Sequence, residues 1–592
     1  MTEPADTTPP PEETAPNSAL VLAFFTVVGV IFAFPLSPAK WTTHIPGNQG
    51  DALLNLWILR WGGTHFDDGW GSLWDTTIFS PRANTLAYSE SMLPVALVHR
   101  VLAFVFQSDV LAFNVIYVAT WALSGWITYL LARRLTGNTT ASVLAGLAFT
   151  LTTTHLIHYS FFQLGFSFLI PLIVLLALNL FESKRVVTGA LLGAATAVLA
   201  LSSSYYGLVI GLVLALLIPT LLLWHRDSFR QLLPALGAAA IVGGVLVAPV
   251  AYQYRELQQD TFFHRDPEIA ARVDDFLRVS PDNYVLADLP PWDSRSTPES
   301  ATIEQRLFPG IVVTALTLFG LFALWQQRRS RSAKSMLALV PPALLLVVLS
   351  FGEYIGYGTS RYKVPWARVW NLPGFTGIRV PARFIVFPML LLALVAAFGL
   401  AWLLTHMRSR ALRVALVVAL GGVLATESAI EIQFSRVPND AASEAVNEAL
   451  RDLPRGAVAE LPMVATHFGG AWAYTEMPRQ YLSLIDGNER LGGYSGYAPA
   501  GYNELARVLE TFPGERALSE LEQLGARYVI LRLSLPSGVA PLDRESIEDQ
   551  GVGPFSEDKA EAIIDALPPD RVRNLGRFGD AYLLELVSSA GA

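Results

Sequence analysis

The chain has 592 residues, 52% of them hydrophobic and only 16% charged, and the apolar excess falls in repeated long runs, which excludes an ordinary water-soluble domain. A formal net charge of −8 without a basic tract argues against a nucleic-acid partner. The absence of cysteine excludes disulfides and thiol-ligated metals.

Residues 1–17 (MTEPADTTPPPEETAPN) are Pro-rich and acidic and are expected to be disordered. They lack the basic n-region of a cleaved secretory signal, so the first apolar run reads as a retained membrane anchor. Eleven spans are expected, near 18–37, 109–132, 139–154, 164–181, 186–202, 206–224, 231–250, 308–325, 336–351, 384–405 and 412–430. The stretch 92–107 carries His99 and Arg100 mid-run and reads as a juxtamembrane segment.

After the first span comes PGNQGDALLNLWILRW (46–61). Gly47, Gln49, Gly50 and Asp51 form a polar turn, and Leu53, Leu54, Trp57, Ile58 and Trp61 then recur at the spacing of an amphipathic interfacial helix. An ionisable group at such a boundary is a functional candidate, and Asp51 is the foremost one; a helix N-cap is its structural alternative. Farther along the same outer loop, Glu90 in AYSESMLP leads back toward the membrane surface. Asp67 and Asp75 read as solvating charges.

His155 and His158 lie in TTTHLIHYSFFQ, three residues apart and so on one face of a helix. Metal binding, substrate hydrogen bonding and interfacial anchoring are all open to such a pair, and without a carboxylate nearby the metal signal is weak. SSSYYG (202–207) is a second outer turn, whose Tyr205 and Tyr206 fit either substrate contact or an aromatic belt.

Basic residues set the orientation. Arg133 with Arg134, Lys184 with Arg185, Arg226 with Arg230, the group Arg328 to Lys334, and Arg408 to Arg413 fall in alternate short loops. That pattern predicts a cytoplasmic N-terminus and places loops 38–108, 251–307 and 352–383, with a tail from 431 onward, on the outer face. Loop 352–383 departs from the pattern with Arg361, Lys363, Arg368, Arg379 and Arg383. Arginine matches phosphate geometry with a bidentate fork, so Arg379 and Arg383 are candidate phosphate ligands; snorkelling, or pairing with acids of loop 38–108, is the alternative.

In the tail, AVAELP and ARYVILRL are predicted strands, and AASEAVNEALRDL and DKAEAIIDAL predicted helices, which suggests a small α/β or α+β domain. A Gly/Tyr-rich loop, GNERLGGYSGYAPAGYNEL (487–505), lies between them; its Tyr494, Tyr497 and Tyr502 can stack on sugar rings or simply pack the loop. The tail is expected to be an accessory domain that shapes acceptor binding and does not itself perform the chemistry.

The order of a first span, an outer loop with an early Asp, many spans and an outer tail resembles the GT-C superfamily of membrane glycosyltransferases. GDALLNLWILRW, FSPRANTLAYSE, EQRLFPG (304–310), LPGFTGIRVPARF and GGYSGYAP further resemble bacterial YfhO-like membrane proteins. The resemblance implies a polytopic α-helical protein of about 11 transmembrane helices (18–430) with a periplasmic C-terminal domain (431–592), multi-pass in the bacterial inner membrane. It implies transfer of a sugar from a polyprenyl-phosphate donor to a glycan, lipid or protein acceptor. Asp51 then corresponds to the acidic residue that acts on the acceptor, with Glu90 as a second catalytic candidate. Arg379 and Arg383 would hold the donor phosphate, and His155, His158, Tyr205 and Tyr206 would contact substrate. Many members of the superfamily carry an acidic pair where this chain has Gly50-Asp51-Ala52, so the metal requirement is open and a divalent cation is the one cofactor candidate. A non-catalytic envelope scaffold and a lipid or polysaccharide transporter are the alternative readings.

Overall fold

The computed structural model describes residues 17–257, 267–292, 302–357, 360–372, 374–536, 539 and 541–587. The stretch expected to be disordered therefore lies outside the described residues, except for Asn17. That residue caps the first helix, Ser18–Ala33, by accepting from the Ala19 amide at 3.0 Å. The same local logic opens two later helices. Ser108 accepts from the Leu111 amide to start Asp109–Thr136, and Asn138 accepts from the Ala141 amide to start Thr139–Thr150. Gly137, at φ +68°, closes the first of these two in the left-handed conformation that a glycine C-cap permits.

The protein is mostly helical. Each predicted apolar run contributes to a helix, and among the described residues six segments are long and apolar enough to cross a membrane: Asp109–Thr136, Phe162–Ser183, Ser204–Trp224, Arg226–Leu257, Arg331–Ser350 and Pro381–His406. Five shorter apolar helices accompany them, among them Leu93–Phe106, which was expected to be juxtamembrane. Helices Val186–Ser202 and Phe229–Leu257 touch backbone to backbone, since a Cβ on Gly189 would fall 1.9 Å from the Ala235 carbonyl oxygen. The other side of Phe229–Leu257 exposes Ile241, Val245 and Leu246, a face that water would not favour and lipid would.

Helix Asp51–Thr64 departs from the interfacial expectation. Every residue from Ala52 to Gly63 except Arg60 is buried, because the helix packs against Leu93–Phe106 on one side and against tail helix Gly470–Leu482 on another. It is a core element with no lipid-facing stripe.

The tail holds the predicted strands and helices. Its sheet runs in the order Ala457–Leu461, Ala526–Arg532, Ala581–Leu586, Val572–Phe578, with the first pair parallel and the others antiparallel. Helices Ala441–Arg451 and Glu557–Asp565 match the two predicted segments. Beneath the sheet lies a buried ion network. Glu460 accepts from Arg490 Nε at 2.8 Å and from Arg532 Nε at 3.0 Å, while Asp486 receives Arg490 Nη2 at 2.7 Å and Asn447 Nδ2 at 2.8 Å. Charges removed from water in this way persist only when such partners satisfy them.

The tail is joined to loop 38–108 by backbone hydrogen bonds. Strand His44–Pro46 of loop 38–108 pairs antiparallel with Phe434–Arg436. Backbone bonds also run from the Arg490 amide to the Thr77 carbonyl (2.6 Å), from Phe79 to Gly492 (3.1 Å) and from Ser80 to Arg490 (2.9 Å).

Candidate active site

A cavity of about 630 Å³ lies where loop 38–108, the 374–383 segment, the tail loop and the adjoining ends of several helices meet. Its polar wall carries Asp51, Glu90, Arg379 and Arg383, and Tyr205 also lines it. Its apolar wall is formed by Ala200, Leu201, Leu208, Val247, Val250 and Leu257, from three consecutive helices. The structure thus brings five of the eight predicted site residues to one space. The other three, His155, His158 and Tyr206, do not line it.

Asp51 is the first residue of its helix; the N-cap is Gly50, which makes no side-chain capping bond. The turn before it is held by Asn48, whose Oδ1 accepts from the Gly50 amide at 3.1 Å, and by Gln49, whose Nε2 donates to the Arg436 carbonyl at 2.6 Å. The capping alternative for Asp51 therefore does not describe its side chain. Its Oδ1 instead accepts from the Tyr494 hydroxyl at 2.8 Å. Burial, then the adjacent Asp51 carboxylate, push the Tyr494 phenol well above its ordinary pKa, so it remains a donor.

Glu90 faces the cavity but is partly committed: Oε1 accepts from both the amide and the hydroxyl of Ser204 at 2.6 Å, at the start of helix Ser204–Trp224. Burial raises its pKa, while the Ser204 bonds and Arg383 pull it back. The second oxygen, Oε2, is buried and meets no hydrogen-bond donor among the described residues.

The two arginines divide. Arg379 is exposed, and no ion pair engages its guanidinium among the described residues. Arg383 is only 7% exposed, and Glu304 Oε1 accepts from its Nε at 3.0 Å and from its Nη2 at 2.5 Å. The guanidinium also lies 4.6 Å from the Phe161 ring centroid and 4.8 Å from that of Tyr205. As a direct phosphate ligand Arg383 is thus pre-engaged, since a buried guanidinium requires a counter-ion in place.

Glu304 completes a cluster that the sequence reading did not assign. Its Oε2 accepts from His158 Nε2 at 2.5 Å, so His158 sits behind Arg383 and away from the cavity. Burial alone would raise the Glu304 pKa; Arg383 and His158 outweigh it and hold the carboxyl well below the usual range. The signal was the first letter of EQRLFPG, without a hint of its partners. The histidine pair does not share a helical face, because the short helix Thr153–Leu156 ends between them. His155 lies against Trp121 with centroids 4.6 Å apart and ring planes tilted by 31°, and burial, then His158, lower its pKa to about 3, so it is a neutral core side chain. Tyr206 is likewise buried, whereas the Tyr205 hydroxyl accepts from the Val380 amide at 3.2 Å.

Asp51 and Glu90 are the carboxylates a divalent cation would meet in this cavity. Among the described residues no three His, Asp or Glu side chains are grouped closely enough to hold one.

The fold has a counterpart among solved glycosyltransferases. The chain is similar in structure to arabinofuranosyltransferase AftD from Mycobacteria (TM-score 0.60, 13% identity), with 97% of this chain and 40% of that one covered. It thus spans well under half of that protein's length. Lower-scoring similarities extend to oligosaccharyltransferase AglB from Archaeoglobus fulgidus in complex with an inhibitory peptide and a dolichol-phosphate (TM-score 0.47, 13% identity, 87% of this chain and 69% of that one). They also extend to ArnT from Cupriavidus metallidurans in the apo state (TM-score 0.46, 14% identity, 96% and 98%). By sequence the chain belongs to the family described as Domain of unknown function (DUF6311), whose profile matches residues 21–423. No curated protein matches it.

Proposed function

We propose that this protein is a glycosyltransferase that moves a sugar from a polyprenyl-phosphate donor to an envelope glycan, lipid or protein at the outer face of the bacterial inner membrane. The observation that carries the reading is the convergence on one cavity of Asp51 and of Arg379, which no ion pair engages among the described residues, with a separate apolar wall built by three helices. A glycosyl phosphate needs those three things: a base for the acceptor hydroxyl, a cation for the departing phosphate and a dry flank for the isoprenoid.

In the proposed step the acceptor oxygen bonds to the sugar C1 as Asp51 takes its proton. The C1–O bond to phosphate breaks, and its electron pair leaves on polyprenyl phosphate. Arg379 stabilises that phosphate, and Arg383, locked by Glu304, shapes the wall behind it. Glu90 anchors the start of helix Ser204–Trp224. In this reading residues 18–430 form the membrane domain and 431–592 a periplasmic domain that closes over the site, with the N-terminus in the cytoplasm.

The test is to incubate the purified, nanodisc-embedded protein with radiolabelled polyprenyl-phosphate sugars and follow loss of sugar from the lipid. A glycosyltransferase of this class consumes at least one such donor. A scaffold or a transporter leaves every donor intact, and that result would overturn the reading.

A further inference from the structure

The GGYSGY stretch (492–497) does more than pack a loop. Tyr494 crosses from the tail to Asp51 and is the one hydrogen-bond partner of that carboxylate among the described residues. Tyr494 is itself held at two points. Its backbone amide donates to Gln480 Oε1 at 2.8 Å, and its ring meets Trp472 edge-on with centroids 4.7 Å apart. The Trp472 indole in turn donates to the Gly493 carbonyl at 3.1 Å.

The glycines make that reach feasible. Gly493 stands at φ +150°, and a Cβ there would lie 2.9 Å from Ile78 Cβ; one on Gly496 would lie 2.7 Å from the Tyr88 carbonyl oxygen. The loop therefore threads directly against loop 38–108, in a space that larger residues would close. A second tail phenol, Tyr474, accepts from Asn48 Nδ2 at 3.3 Å on the turn that presents Asp51.

We propose that Tyr494 is a positioning residue for Asp51, resting on the reading of Asp51 as the base. A carboxylate at the first position of a helix, without a capping bond, can rotate freely about its side chain. Donation from Tyr494 to Oδ1 fixes it and leaves the second oxygen for the acceptor proton. The tail thereby takes part in the chemistry through Asp51.

Transfer kinetics of the full-length protein test this with Tyr494→Phe, Asp51→Asn and the double variant, alongside thermal melting. Tyr494→Phe removes only the hydroxyl. It is expected to lower kcat by ~10- to 100-fold, the scale on which a misplaced group costs turnover, with KM for the donor and the melting temperature unchanged. In the Asp51→Asn background the same change is expected to cost nothing further, because the two side chains act as one unit. A wild-type kcat for Tyr494→Phe, or a full additional loss in the double variant, would overturn the positioning role. Wild-type turnover by Asp51→Asn alone would remove the base, and the proposal with it.

Discussion

A guanidinium at a membrane boundary stays charged only if something offsets its desolvation. Arg383 has Glu304 for this, and Arg379 has the open cavity. The two substitutions should therefore separate. Arg383→Ala leaves Glu304 buried with His158 alone and is expected to destabilise the fold by about 3–5 kcal/mol, as breaking a buried pair does. Arg379→Ala should leave the melting temperature nearly unchanged and weaken binding of polyprenyl phosphate, measured by titration in nanodiscs. Equal stability losses would contradict this division. Asp51 and Arg379 were legible in the sequence because each announces itself locally, one on a polar turn before an apolar helix and the other in an outer loop unusually rich in arginine. Glu304 and Tyr494 gave no such signal. Their partners lie 79 and 443 positions away in the chain, and no local pattern encodes contacts that long.

At the level of elements, the apolar runs gave the helices because length and hydropathy are local properties. The character of helix Asp51–Thr64 differs from its local pattern for the converse reason: its spacing fits an interfacial stripe, but the tail helix Gly470–Leu482 packs against it. That tail helix carries its own pH dependence. Glu476 is 3% exposed, and burial, only partly offset by Arg479 and the Val464 amide, raises its pKa to about 7. The folded tail thus binds a proton that the unfolded chain, with an ordinary glutamate near 4.3, has already released. The contribution to stability is present below about pH 4.3 and is lost as pH rises toward 7. Glu476→Gln should flatten this part of the profile, so that the variant gains on the wild type between pH 5 and pH 8 in melting experiments. Parallel profiles for the two proteins would show that Glu476 does not titrate in this range.

For the whole molecule, the alternating basic loops and the knitting of tail to loop 38–108 point to the same side of the membrane for both. Reporter fusions at Ser330 and after Ala592 should accordingly report opposite faces, cytoplasmic and periplasmic. A cytoplasmic signal from both would undo the topology and the outer-face site together. The central claim, that Asp51 is the base of a polyprenyl-phosphate-dependent transfer, is tested most directly by single-turnover transfer from a radiolabelled donor to acceptor, comparing wild type with Asp51→Asn. Asparagine keeps the size and the acceptor oxygen for Tyr494 but cannot take a proton. Donor binding and melting temperature should therefore persist while the transfer rate falls by ~10²–10⁴-fold. Transfer by Asp51→Asn at the wild-type rate would contradict the account.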